Sequence, residues 1–103
     1  MRAVRYSVTF NDQLNDLLAY GVIRFGKATV REKRAAIHAC VNDYLAVFPR
    51  TKRRHRRLKL TVYHVTDTPF VLLCDFDDVE LRVHFIFHKS ASLKGLNPKS
   101  AIW

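Results

Sequence analysis

Apolar and polar residues alternate from the second residue onward. Val4, Tyr6, Val8 and Phe10 fall on one side, and Arg5, Ser7 and Thr9 on the other. A period of two built from β-branched and aromatic residues predicts a strand over 2–10 with one buried face. The period then lengthens. Leu14, Leu17, Leu18 and Phe25 recur at helical spacing, with Ala19 and Val22 beside them. Asn11 or Asp12 offers an N-cap, Gly21 weakens the helix and Gly26 ends it, so the pattern predicts a helix over 11–24. Thr29 and Glu32 have the spacing of a capping box. Val30, Ile37, Val41, Tyr44, Leu45 and Phe48 form the apolar face that follows, up to Pro49. This predicts a second helix over 29–47. The short connection through Gly26, Lys27 and Ala28 makes the two an antiparallel hairpin.

Three strands are expected after the helices. Leu58, Leu60 and Val62 alternate with Lys59, Thr61 and Tyr63 in a strand over 58–66. Asp67-Thr68-Pro69 marks a turn. Residues 70–76 are nearly all apolar, as in a strand at the centre of a sheet or covered on both faces. Asp77-Asp78 marks a second tight turn. From 79 to 88, Val79, Leu81, Val83, Phe85 and Phe87 alternate with Glu80, Arg82, His84, Ile86 and His88, the clearest strand in the chain. Residues 89–103 have no sustained periodicity and read as a C-terminal extension. The chain reads as one domain over 1–103, with order β-α-α-β-β-β. That is an α+β fold, with the helix hairpin on one face of a small, mainly antiparallel sheet.

Charge changes this picture at one place. The chain holds 18 Lys and Arg against 9 Asp and Glu, a net charge of +9. Seven of these cations fall within Arg50–Lys59: Arg50, Lys52, Arg53, Arg54, Arg56, Arg57 and Lys59. Such a run repels itself and resists burial. It is either a solvated loop, a localisation signal, or the docking site of a polyanion. A phosphate backbone is the natural polyanion, because each neutralised phosphate releases counterions. The run leads directly into an apolar strand, which ties it to a folded body and favours a docking site.

The remaining chemistry is sparse. Cys40 and Cys74 fall in core segments, without zinc spacing, and read as buried thiols of a reducing compartment. No signal peptide, membrane span, P-loop or dinucleotide motif is present, so the expected home is the cytoplasm, with no cofactor and no metal. The acidic trio Asp75, Asp77 and Asp78 is better explained by turn formation than by Mg²⁺. His88 ends the last strand, where sites tend to lie, and Lys89 follows it. His84 lies on the same strand face, ~13 Å away at ~3.3 Å per residue, too far to share one phosphate. His64 and His55 are weaker candidates, and His38 reads as a solvated helix residue. Tyr63 is either a sheet aromatic or a platform for an unpaired base.

These features together resemble the RelE/ParE superfamily of type II toxins. The resemblance rests on the element order, the basic segment before the second strand, and Leu45-x-x-Phe48-Pro49 closing the second helix. Thr68-Pro69-Phe70-Val71-Leu72-Leu73 is similar to the family's central strand entry, and a last strand closing on His88-Lys89 is similar to its final strand. The resemblance implies a toxin held by a cognate antitoxin protein. Some members cut mRNA on the ribosome and others poison DNA gyrase. In the RelE-type cutters, basic residues surround the scissile phosphate. Lys52, Arg53 and Arg54 match their basic segment, and His88 with Lys89 match the end of the last strand. Their strand-entry Arg is replaced by Thr66, and the Tyr that follows the His in YoeB-like members is replaced by Lys89. The first expectation is therefore a toxin acting on RNA or translation, of the mRNA-interferase type. A ParE-like gyrase inhibitor and a non-catalytic nucleic-acid-binding module are the alternatives.

Overall fold

The computed structural model describes residues 2–46 and 53–103, without the side chains of Tyr44 and Arg53. Its order is β1 (Ala3–Tyr6), α1 (Val8–Phe25), α2 (Lys27–Ala39, continued by a π-helical stretch Cys40–Leu45), β2 (Arg53–Arg54), β3 (Thr61–His64), β4 (Phe70–Phe76) and β5 (Glu80–His88). The strands form one sheet in the order β1-β5-β4-β3-β2. All neighbours pair antiparallel except β1, which lies parallel to β5 with Tyr6 opposite Val83. The α+β architecture read from the sequence is therefore the one observed, extended by the two-residue strand β2.

The first strand is shorter than its alternation predicts, because the helix starts earlier. Ser7, and not Asn11 or Asp12, is the N-cap. Its hydroxyl accepts the Phe10 N–H at 2.7 Å, and Ser7 itself is fully buried. Val8 and Phe10 therefore belong to α1. Phe10 satisfies both periods at once: it continues the alternation of β1, but it also stands four residues before Leu14 and eight before Leu18. That helical stripe is what the structure buries. Phe25, expected on the stripe, is exposed.

A single residue joins the helices. Gly26 has φ +88°, where an L side chain is strained, and it ends α1 while opening α2. Its N–H donates to the Val22 carbonyl, and its own carbonyl accepts the Val30 N–H. Helix α2 thus begins before Thr29, and the capping box does not form. Gly21 serves the same junction by its small size, since a Cβ there would stand 3.1 Å from Val30 Cγ2. At the far end the Ala46 N–H reaches back five residues to the Val41 carbonyl. This widened turn follows Ile37 and keeps Val41 and Leu45 buried. Phe48 and Pro49 lie outside the described residues.

The sheet has a core on each face. Facing the helices are Tyr63, Val65, Phe70, Leu72, Cys74, Leu81, Val83 and Ile86, closed by Phe10, Leu14, Leu18, Ile37, Val41 and Leu45. On the other face Leu58, Leu60, Leu73 and Phe85 form a second cluster. It is covered by Leu93, Leu96 and Ala101 of the segment read as an extension. Strand β4 is central and covered on both sides, which explains its nearly continuous apolar run, broken by Asp75. One irregularity matters below: Leu73 pairs with Phe85 but Cys74 pairs with Val83, so His84 bulges out of β5.

Ser7 joins three of these elements. Its N–H donates to the Val83 carbonyl, its hydroxyl donates to the His84 carbonyl at 2.6 Å, and its oxygen caps α1. Ser7→Ala removes a cap and strands a buried carbonyl at the bulge. We expect a loss of about 2 kcal/mol in urea unfolding, with the far-ultraviolet spectrum unchanged. A loss within error would mean that water takes over both bonds.

Candidate functional site

Residues 53–59 of the basic run form, with β3, a β-hairpin on the sheet edge. Arg54 pairs with Thr61, the His55 N–H donates to the Leu60 carbonyl at 2.7 Å, and the Lys59 N–H donates to the His55 carbonyl at 2.8 Å. Lys59 sits at φ +56°, the left-handed position of the turn. The His55 Nδ1 accepts the Leu58 N–H at 3.2 Å, so this ring brackets the turn. Leu58 and Leu60 are 2 % and 4 % exposed, and their burial turns Arg56, Arg57 and Lys59 outward. Arg50 and Lys52 lie outside the described residues. Arg53 forms β2 with Arg54. Among the described residues, Arg54, Arg56 and Lys59 meet no carboxylate within ion-pair distance, since every such pair involves Arg82 or His84. A cavity of about 500 Å³ opens between Arg54, His55, Arg56, Val62 and Leu93. Arg57 is committed elsewhere: its guanidinium donates to the Leu96 carbonyl at 2.8 Å and to the Leu93 carbonyl.

The other sequence candidates lie apart from the hairpin. Arg54, Thr61, Cys74 and Val83 stand in one line across the sheet, and His88 is five residues further along β5. One of those five is the bulged His84, and His88 pairs with Phe70, four ladder positions from Cys74, which places it ~13 Å beyond the line at ~3.3 Å per residue. The His88 Nδ1 accepts the Ser90 N–H at 3.1 Å and lies 2.7 Å from the Ser90 hydroxyl, which leaves Nε2 facing outward. Lys89 is exposed, and its N–H donates to the Pro69 carbonyl. Tyr63 is 1 % exposed in the helix-side core, so it presents no ring face to a base. His64 Nε2 lies 2.7 Å from the Thr68 carbonyl, to which it donates. His38 is not simply solvated. Its Nδ1 lies 3.2 Å from the Tyr6 hydroxyl, and burial, with the Arg34 charge, lowers its pKa. Burial pushes Tyr6 up to about 12, so the phenol keeps its proton.

A third group was missed from the sequence. On the face opposite the helices, Asp75 accepts from Arg82 Nε at 2.9 Å, from Arg82 Nη2 at 3.0 Å and from His84 Nε2 at 2.7 Å. Arg82 also reaches Asp77 at 2.9 Å and Glu80 at 3.2 Å. Burial works to raise the Asp75 pKa, but the hydrogen bonds from His84 and Arg82 and their charges outweigh it and hold the carboxyl at about 2. The same carboxylates raise Arg82 above its ordinary value. Trp103 stands edge-on to His84, with ring centroids 4.8 Å apart. The Arg5 guanidinium lies 5.1 Å from the centre of the Trp103 ring. A carboxylate inside an apolar central strand, opposite a strand carrying Arg82 and His84 at alternate positions, was the available signal.

These elements define a small α+β class: a helix hairpin on one face of a sheet whose edge carries a basic hairpin. It is the fold that the RelE/ParE resemblance implies. No protein-family model matches the sequence, and no curated protein matches it. Among solved structures, a chain of the chromosomal ParDE TA system from P. aeruginosa superposes with a TM-score of 0.74. It is 13 % identical, and the match covers 85 % of this chain and 96 % of that one. At that identity the likeness establishes the shared fold.

The Asp75 cluster gives the stability a defined pH dependence. Asp75 titrates at about 2 when folded, against an ordinary 3.8. Its contribution is present above pH ~4 and disappears as pH falls toward 2. Asp75→Asn should flatten the acid limb of a stability-against-pH curve over that interval, leaving the part due to Asp77. An unchanged acid limb would show that Asp75 is not held by its partners in solution.

Proposed function

We propose that this chain is the toxin of a type II toxin–antitoxin pair, acting in the cytoplasm on RNA or the translation machinery and held by a cognate acidic antitoxin. The observation that carries the reading is the basic hairpin. Three cations without acidic partners are fixed on a sheet edge by buried Leu58 and Leu60, within a fold shared with the ParDE system. Fixed charges of one sign beside an open cavity raise the local concentration of a polyanion. An acidic antitoxin fits the net charge of +9 and the exposed Tyr20, Ile23 and Phe25 at the end of α1.

Docking and cleavage are separate roles in this reading. Arg54, Arg56 and Lys59 hold phosphate. His88, through its outward Nε2, and Lys89 are the proposed acid–base pair for attack by a 2′-hydroxyl. The ~13 Å offset of His88 from the line of Arg54, together with the ParDE likeness, favours a second reading in which the chain acts by binding, as in gyrase-directed toxins of this fold.

Induction in growing cells tests the proposal. Amino-acid incorporation should fall before thymidine incorporation; the reverse order moves the target to DNA replication, and normal growth removes the toxin reading. In binding assays, replacing Arg54, Arg56 and Lys59 together by Ala should reduce the salt slope by roughly 2–3, one unit for each lost phosphate contact. His88→Ala should leave binding intact and lower cleavage by about 10². Full toxicity of His88→Ala alongside a harmless triple variant would establish action by binding alone.

A further inference from the structure

We infer that the place between Arg5 and His84 that the Trp103 indole fills is a binding site for an unpaired nucleobase, with the indole as an internal stand-in. The inference rests on the nucleic-acid reading above and adds a second subsite to it. Three observations converge. The first is the pairing of rings and charge. Trp103 lies against the Arg5 guanidinium on its face and against the His84 ring at 4.8 Å and 89°. An Arg guanidinium plane is one of the groups on which proteins stack single-stranded bases, and the His84 ring meets the same position edge-on. Trp103 itself is 39 % exposed, so this aromatic slot opens to solvent.

The second observation is a hydrogen-bonding group with nothing to bond. A carboxylate only accepts, so His84 Nε2, 2.7 Å from Asp75, carries a proton. His84 Nδ1, the other ring nitrogen, is buried with no hydrogen-bond partner. A base edge, which carries both donors and acceptors, can offer this atom a partner when it enters in place of the indole; indole carbon cannot. Arg82 holds Asp75 by two bonds from the other side, so His84 is oriented before any ligand arrives.

The third observation is how the segment bearing Trp103 is held. Its carbonyls at Leu93 and Leu96 occupy the fork of Arg57, the arrangement that phosphate oxygens take up on a guanidinium. The Ile102 backbone bonds Val8 N–H, Thr9 N–H and the Thr9 hydroxyl, and Leu93, Leu96 and Ala101 lie on the second core. The segment also carries Lys89, Lys94 and Lys99, all exposed and of the same sign as the basic hairpin. Self-repulsion therefore works against the docked segment, and a bound phosphate chain relieves it. Nucleic acid thus competes at both ends: phosphate for Arg57 and a base for the place between Arg5 and His84.

Trp103 is the sole tryptophan, so its emission reports that place directly. The purified chain is titrated at low salt with a short single-stranded RNA, the DNA of the same sequence and the matching duplex. Anisotropy of the labelled oligonucleotide reports binding. Both single strands should shift Trp103 emission toward that of a solvated indole as they bind, while the duplex, whose bases are stacked away, binds without the shift; a difference between the two single strands identifies which sugar the site prefers. Trp103→Ala should bind single strands about tenfold more tightly, since an internal competitor is gone. Arg5→Ala should bind them about tenfold more weakly. Binding by anisotropy with unchanged Trp103 emission, or weaker binding by Trp103→Ala, overturns the inference while leaving the basic hairpin as the docking site. No binding of any oligonucleotide overturns the nucleic-acid reading itself. Should Trp103→Ala fail to fold, the emission titration of the unmodified chain still decides.

Discussion

Strand β4 buries apolar side chains on both faces, and the rest of the structure answers that constraint. Leu72 and Cys74 face the helices, and Leu73 faces the other way. A five-stranded sheet with one helix layer leaves Leu58, Leu60, Leu73 and Phe85 open to water. Burial of side chains of this size is worth about 1.5–3 kcal/mol each. That is a large sum against the 5–15 kcal/mol by which typical domains are stable. Among the described residues there is no third helix over this face, and an irregular segment covers it, through Leu93, Leu96 and Ala101. An irregular cover needs partners for its backbone, and Arg57 and the first turn of α1 provide them. One cation of the basic run is therefore part of the fold, whatever the others bind.

The same constraint explains how a run of like charges sits on an ordered edge. Exposed cations ~4 Å apart repel by about 1 kcal/mol in water, less with salt. The hairpin withstands this because Leu58 and Leu60 alternate with the charges and are pinned in the second core, while His55 closes the turn from inside. The segment that completes that core thereby also supports the hairpin. Removing the cover would loosen Leu58 and Leu60 and, with them, the geometry of Arg54, Arg56 and Lys59.

Long, consistent patterns were legible in the sequence. The spans 70–76 and 79–88 correspond closely to β4 and β5, and the helix hairpin and its order are as read. The errors fall where two local rules compete. At Ser7 to Phe10 a period of two and a helical period share the same residues, and a buried hydroxyl decides between them. At Gly26 one left-handed residue makes the whole connection, so the Thr29 box, though present in the sequence, is not used. The basic run was legible as charge but not as a strand, since β2 exists only through pairing with β3. Tyr63 alternates like its neighbours, and alternation does not say which face is deeper. The cluster of Asp75, Arg82 and His84 was hidden for a related reason. Asp75 faces Arg82 through antiparallel register, which the sequence does not print, and His84, two residues on, shares that face by alternation.

That bulge links the two halves of the molecule. An extra residue in β5 breaks the ladder locally and leaves the His84 carbonyl in need of a donor, which the Ser7 hydroxyl supplies at 2.6 Å. The same hydroxyl oxygen starts α1. The side chain of His84 goes to the opposite face, where Asp75 and Arg82 fix it. A displacement of His84 therefore disturbs the helix start on one side and the carboxylate cluster on the other. Irregular strand geometry is retained here because two independent networks hold it, and it aims one imidazole at Trp103. A regular β5 would place the residue at this position in the ladder, with its side chain on the face set by strict alternation, and the line of residues from Phe85 to His88 would swap faces. Phe85 would then leave the second core, and the segment over it would lose its central contact.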